Sequence, residues 1–154
     1  MNDIAVANPK IISQMTTNLG ENLLEFSGDH TVMLVFLRHF GCVFCKTAMI
    51  DIAKNRDEIE RRGVKIVFVH MTDTPTAEKY FKQFKLKGTR FVNDPEKKYY
   101  AAFGLYRGSF TQLFGLQTWI KGYSVIKENN LPISDGKNLG DSFQMPGVFF
   151  IQNG

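Results

Sequence analysis

The chain has 154 residues, 44% of them hydrophobic and 22% charged, which suits one domain with a sizeable core. Its net charge of +4 is too small to argue for nucleic acid. The longest strongly apolar run, Val32 to Leu37, falls far short of the roughly 20 residues of a membrane span. No basic, apolar leader opens the chain at Met1-Asn2-Asp3-Ile4, so the expected location is the cytoplasm, with no membrane association.

In chain order, residues 1–17 read as mixed and peripheral. Leu23, Leu24 and Phe26 suggest a short strand or loop, closed by a turn at Ser27-Gly28-Asp29. Thr31 to Leu37 is a short, nearly continuous apolar run and predicts a buried central strand. A helical pattern begins near Cys42, with Cys45, Ala48, Met49, Ile52 and Ile59 on one face. Arg61-Arg62-Gly63 supplies its stop. Val64 to Met71 predicts a second buried strand. Thr74-Pro75 then opens a helix, with Thr74 as its cap and Ala77, Tyr80, Phe81 and Phe84 on its apolar face.

Phe91-Val92 suggests a short strand, Pro95 to Phe103 a short helix and Gly104 to Gly108 a loop. Phe110 to about Lys127 suggests a buried or groove-lining helix, residues 129–141 a loop, and Val148 to Ile151 the last strand. Strands alternating with helices imply an α/β sandwich with helices on both sheet faces. The chain reads as a single domain over residues 1–154. Asn153-Gly154 is a hairpin signal with no second strand after it, so a C-terminal truncation is expected.

The two cysteines form one C-x-x-C, Cys42-Val43-Phe44-Cys45. A secreted disulfide scaffold would need more cysteines, more widely spaced. Here a strand ends at Arg38-His39-Phe40-Gly41 and a helix starts at the pair. Cys42 then sits where unpaired N–H groups and the positive end of the helix dipole favour a thiolate. Residues at i and i+3 of a helix have Cβ atoms about 5–6 Å apart, and a disulfide needs about 3.5–4.5 Å. Only a small adjustment of the first turn closes it.

Such a setting lowers a thiol pKa from about 8.5 into the range of roughly 3.5–7.5. Arg38, His39 and Lys46 are the candidates to add to that effect. Cys42, nearer the helix start, is expected to attack, and Cys45 to resolve the mixed disulfide or sulfenic acid. A zinc site would need two more Cys or His ligands, and His30, His39 and His70 form no H-x3–5-H pair. Two buried structural thiols are the plain alternative. His39 is either a proton relay, a thiolate partner or a turn residue. His70, ending a strand, reads as a hydrogen-bonded core histidine.

The segment Val35-Phe36-Leu37-Arg38-His39-Phe40-Gly41-Cys42-Val43-Phe44-Cys45 resembles the active-site segment of thioredoxin-fold proteins. More closely, it is similar to peroxiredoxin-like proteins of the alkyl hydroperoxide reductase/thiol-specific antioxidant (AhpC/TSA) superfamily. Tyr106-Arg107-Gly108-Ser109-Phe110, the Trp119 segment and Gly140-Asp141-Ser142-Phe143-Gln144-Met145-Pro146-Gly147 share that likeness, which runs from about Asn18 to the end. The resemblance implies a thioredoxin-like three-layer sandwich with a central mixed β-sheet, lacking here its C-terminal strand and helix. It implies an antioxidant oxidoreductase whose redox-active centre is the Cys42/Cys45 dithiol–disulfide couple, reducing disulfides or hydroperoxides. Lipid endoperoxide reduction is a further possibility by resemblance. Met145 and Pro146 would form the substrate loop, with a cis bond between them.

The chain departs from these patterns at identifiable places. With Cys45 placed at the peroxidatic cysteine of typical peroxiredoxins, Cys42 replaces their Thr and Arg38 their Pro. Thioredoxins carry Gly-Pro where Val43-Phe44 stands, and a buried Asp where Phe36 stands.

No phosphate loop or dinucleotide fingerprint occurs, so no cofactor is expected, and reducing power would come from a partner protein or a small thiol. The basic stretch from Lys79 to Lys98 offers either a docking face for an acidic partner or a solvated helix face. Tyr99, Tyr100, Phe103, Phe110 and Phe114 read as core, or as a groove for an apolar peroxide. A redox-switched binding module is the reading from a different functional class.

Overall fold

The computed structural model describes residues 8–108, 140–141 and 143–154. The helix expected over 110–127, most of the loop over 129–141, the Trp119 segment and Phe114 lie outside those residues. The elements are α1 (Pro9–Ile12), α2 (Leu23–Asp29), β1 (Thr31–Phe36), α3 (Val43–Arg61), β2 (Val64–His70), α4 (Thr74–Gln83), β3 (Arg90–Asn93), α5 (Lys98–Ala102) and β4 (Gly147–Ile151).

Continuous apolar runs without polar alternation belong inside a sheet covered on both faces. β1 and β2 behave so: they pair in parallel, from Thr31 opposite Val64 to Phe36 opposite Val69. β3 adds in parallel to β2, and β4 adds antiparallel to β1, giving the order β3-β2-β1-β4. The sheet is mixed, as the resemblance implied.

Its two faces carry separate cores. On one, Val35, Met49, Phe68, Phe81 and Phe91 pack beneath α3 and α4. On the other, Val32, Leu34, Phe36, Val67 and Tyr100 pack with Ile12 and Leu23. Burying one such ring or aliphatic side chain is worth roughly 1.5–3 kcal/mol. The β1–α3–β2 crossover returns the chain to the sheet, so the start of α3 and both cysteines sit at the C-terminal edge of β1.

Several expectations change. The Leu23–Phe26 segment and its turn are instead α2, because Asn22 caps it by accepting from the N–H groups of Leu24 and Glu25. The N-terminal segment is not peripheral: Ile12 and Met15 are buried in the second core. Asp73, not Thr74, caps α4, accepting from the Thr76 N–H at 2.9 Å. The carboxylate one residue earlier reaches the first-turn amides, and Pro75 needs no partner there. β4 alternates by burial although Gly-Val-Phe-Phe-Ile does not alternate by type. Val148 and Phe150 are exposed and Ile151 is buried.

Candidate active site

The turn after β1 is held from both sides. The Leu37 N–H continues the sheet ladder by donating to the Val69 carbonyl at 2.9 Å. The chain then bends through Arg38, His39 and Phe40 into Cys42, which occupies the N-cap position of α3 with extended backbone angles. The Cys42 N–H donates to the His39 carbonyl at 3.1 Å, and the Lys46 N–H donates to the Cys42 carbonyl at 3.0 Å. Phe40 anchors the bend in the α4-side core, stacking on Tyr80 with ring centres 5.0 Å apart and meeting Phe81 edge-on.

Both cysteines are free thiols near the surface of that core, 7% and 4% exposed for Cys42 and Cys45. Their ionisation is driven in opposite directions. Cys42 is lowered to about 6, first because the Cys45 thiol hydrogen-bonds to it, and further by the Cys45 and Phe44 N–H groups and the charge of Arg38. Its side chain closes no capping hydrogen bond. Cys45 is pushed well up, because its proton is shared with Cys42 and because it is buried. The Arg38 N–H donates to the Cys45 sulfur at 3.2 Å. One sulfur is thus a thiolate at neutral pH and the other its proton donor.

The structure brings Arg38 and Lys46 together with the pair. Both side chains are buried at the site. Burial lowers Lys46, and the Cys42 charge pulls it back up. His39, read as a proton relay, a thiolate partner or a turn residue, sits half-buried in the turn. Burial, then the charges of Arg38 and Lys46, hold it down at about 4, so it is neutral above that pH. Its Nδ1 accepts from the Gly41 N–H at 3.1 Å, fixing the turn.

The Met145-Pro146 loop leads directly into β4. The β1–β4 register ends with Phe36 opposite Gly147, the residue after Pro146. The Met145–Pro146 bond is trans, which corrects the expected cis bond. An X-Pro bond favours trans by about 0.5–1 kcal/mol. The loop is tied from the other side, with the Met145 N–H on the Tyr106 carbonyl at 3.1 Å and the Gln144 amide on the Leu105 carbonyl at 2.6 Å. Gly140 bridges to His39, and a side chain there would meet His39, Met71 and the Arg38 carbonyl at 3.1–3.2 Å. Asp141 pins this loop by pairing with Lys97 and Arg107.

Other expectations sort out by position. His70 is buried as expected, yet neither ring nitrogen makes a hydrogen bond among the described residues. Its ring neighbours are Phe40, Phe81 and Phe91, which offer no acceptor. Burial lowers it to about 4, against a smaller opposing pull from the Thr72 backbone. The basic stretch is partly spent: Arg90 pairs with Glu21 at 2.7 Å and Lys97 with Asp141. Lys79, Lys82 and Lys87 rim an open cleft of about 670 Å³ floored by Phe81, Leu86 and Phe91, with neither cysteine in its lining.

Tyr100 and Phe103 are core, as read. Sequence reasoning missed what Tyr100 does with its hydroxyl, which reaches the carbonyls of Leu37 at 2.5 Å and Val69 at 3.0 Å. It missed equally the buried Asp94, whose carboxylate accepts from the N–H groups of Lys98, Tyr99 and Tyr100. An Asn-Asp-Pro turn ahead of a helix was the available signal for Asp94. Nothing local pointed from Tyr100 to Leu37.

Known proteins resemble this chain at several distances. Residues 16–153 match the model of the AhpC/TSA family. A thioredoxin-like protein AAED1, chloroplastic, of Arabidopsis thaliana is 29% identical over 101 residues, 62% of this chain. The chain spans 40% of that relative's length. A prostamide/prostaglandin F synthase of Xenopus laevis is 22% identical over 152 residues, 99% of this chain and 75% of that protein.

Among solved structures, a cysteine-to-serine mutant of Xanthomonas campestris peroxiredoxin Q superposes with a TM-score of 0.58 at 16% identity, covering 68% of this chain and 69% of that one. A yeast mitochondrial 1-Cys peroxiredoxin gives 0.57 at 17% identity, covering 90% of this chain and 58% of that one. These structures share the thioredoxin-like fold. With the family model running through β1, the cysteine pair and β4, the chain belongs to the AhpC/TSA family.

Proposed function

We propose that this protein is a thiol-dependent oxidoreductase that cycles Cys42 and Cys45 between dithiol and disulfide. One observation carries the reading: two free thiols stand together at the start of α3, Cys42 at its N-cap and Cys45 under the Arg38 N–H, an arrangement that lowers Cys42 and raises Cys45. Cys42 is the attacking thiolate and Cys45 the resolving thiol, with Arg38 and Lys46 as the cations that favour the charge on Cys42.

With a hydroperoxide, the Cys42 thiolate attacks the terminal oxygen and becomes a sulfenic acid. The alkoxide leaves and takes a proton. The Cys45 sulfur then attacks Cys42, a disulfide forms and water departs. Family membership supports a peroxide as substrate. The same couple exchanges with a disulfide substrate. A thioredoxin- or glutathione-type thiol system is the proposed reductant; the yeast relative is described as resolved through glutathione and thioredoxin systems. Two cysteines confined to one reactive pair support a reducing compartment, the cytoplasm.

Mass spectrometry after a short pulse of tert-butyl hydroperoxide and dimedone tests the order of events. The Cys45→Ser variant should carry the dimedone adduct on Cys42. An adduct confined to Cys45 in the Cys42→Ser variant, with none on Cys42 in the other, would reverse the roles. Prostaglandin-type lipids enter as candidate substrates through the names of three relatives, and belong in the same assay.

A further inference from the structure

The peptide group between Leu37 and Arg38 lies between the two cores. Its N–H is the Arg38 donor that meets the Cys45 sulfur at 3.2 Å, on the α3 side. Its C=O is the Leu37 acceptor that meets the Tyr100 hydroxyl at 2.5 Å, on the α5 side. A trans peptide points these two groups in opposite directions and keeps them in one plane. Tyr100 O–H, the Leu37–Arg38 peptide and the Cys45 sulfur therefore form one hydrogen-bonded line across the end of β1.

Tyr100 is itself fixed. It is fully buried, and its ring meets Phe36 edge-on at 4.9 Å. Its own N–H donates to Asp94, and the Asp94 N–H donates to the His70 carbonyl at 2.7 Å. The hydroxyl has one proton to give, and the Leu37 carbonyl is the nearer of its two acceptors. The Val69 carbonyl already receives the Leu37 N–H. Without the hydroxyl, the Leu37 carbonyl loses this buried partner, and the peptide is free to turn its N–H away from Cys45.

We propose that Tyr100 is a positioning residue for the resolving cysteine, holding and polarising the Leu37–Arg38 peptide so that its N–H stabilises the Cys45 thiolate as that thiolate forms. Hydrogen bonds in a line strengthen one another, so the phenol acts on a sulfur it does not touch. The inference rests on the dithiol reading above and concerns only its second step.

The test uses 5,5′-dithiobis(2-nitrobenzoate) in stopped flow. The Cys42 thiolate attacks one sulfur of the reagent, forms a mixed disulfide and releases one thionitrobenzoate. Cys45 then gives its proton to solvent, attacks the Cys42 sulfur and displaces the second thionitrobenzoate. The protein loses two electrons and the reagent gains them.

In Tyr100→Phe, the first release should stay within about twofold of wild type. The second should slow about tenfold, and its apparent pKa should rise by about one unit, the equivalent shift. Replacing Tyr100 by 3-fluorotyrosine, a more acidic phenol, should move the second release the other way, and serves even where the Phe variant does not fold. Two releases in wild type, with the second unchanged in either substituted protein, overturn the role of Tyr100 alone. A single release in wild type overturns the dithiol reading and this inference with it.

Discussion

Two strand-to-helix turns lie side by side at one edge of this sheet, and they are built on opposite terms. After β2, the chain passes into α4 through Asp73, whose carboxylate closes the helix start on the Thr76 N–H. After β1, the chain passes into α3 through Cys42, whose side chain closes no cap. The first turn uses the amides of the helix start for stability. The second leaves them to favour a negative charge on sulfur, and Arg38 adds to the effect. Beside each turn stands a histidine held at about 4: His39, half-buried and bonded to the Gly41 N–H, and His70, buried at the end of β2 without a hydrogen bond among the described residues. Reactivity here comes from what a local cap gives up.

The largest test of that contrast is Cys42→Ser. Serine is a preferred cap, so the variant should lose reaction with hydroperoxides by more than roughly 10³-fold. Its Tm should nevertheless rise by about 2–4 °C. Peroxide consumption and calorimetry on the same sample check both halves; a fall in Tm would sink the idea of a sacrificed cap.

Acid stability follows. His70 titrates at 6.5 when unfolded and at about 4 in the fold, so the unfolded chain binds more protons between those values. Its contribution is present above pH 6.5 and is lost as pH falls to 4, about 3 kcal/mol in all. His39 acts in the same direction. His70→Phe should flatten this slope in urea melts taken from pH 7 to 4. An unchanged slope would show that His70 charges without unfolding.

Arg38→Met removes one cation beside Cys42. The thiolate pKa should rise from about 6 by roughly one unit, with alkylation by iodoacetamide at about pH 5.5 slowing several-fold and little change above about pH 8. Absorbance at 240 nm reads the titration directly.

The smallest effect is expected at the other turn. Asp73→Ala opens the α4 cap and should lower Tm by about 2–4 °C, leaving the Cys42 titration where it is. A shift in that titration would mean the two turns are coupled.

Much of this was legible along the chain. The apolar runs at 31–37 and 64–71 marked buried strands because no alternation of polar residues could face water. Gly63 ended α3 as read, at φ +82°. The dipeptide-scale readings failed at Ser27-Gly28-Asp29, where Asn22 had already nucleated a helix, and at Thr74, where a neighbouring carboxylate took the cap. The cis bond expected at Pro146 failed too.

By itself, the sequence determined that two thiols stand three residues apart where a buried strand meets a helix, because spacing and periodicity are local properties. Only the tertiary structure decided which sulfur carries the charge, that His39 is neutral, that His70 sits among rings, and that Tyr100 reaches the peptide before Arg38. Those outcomes depend on burial and on contacts between residues far apart in the chain, 63 positions for Tyr100 and Leu37. No local pattern records such distances.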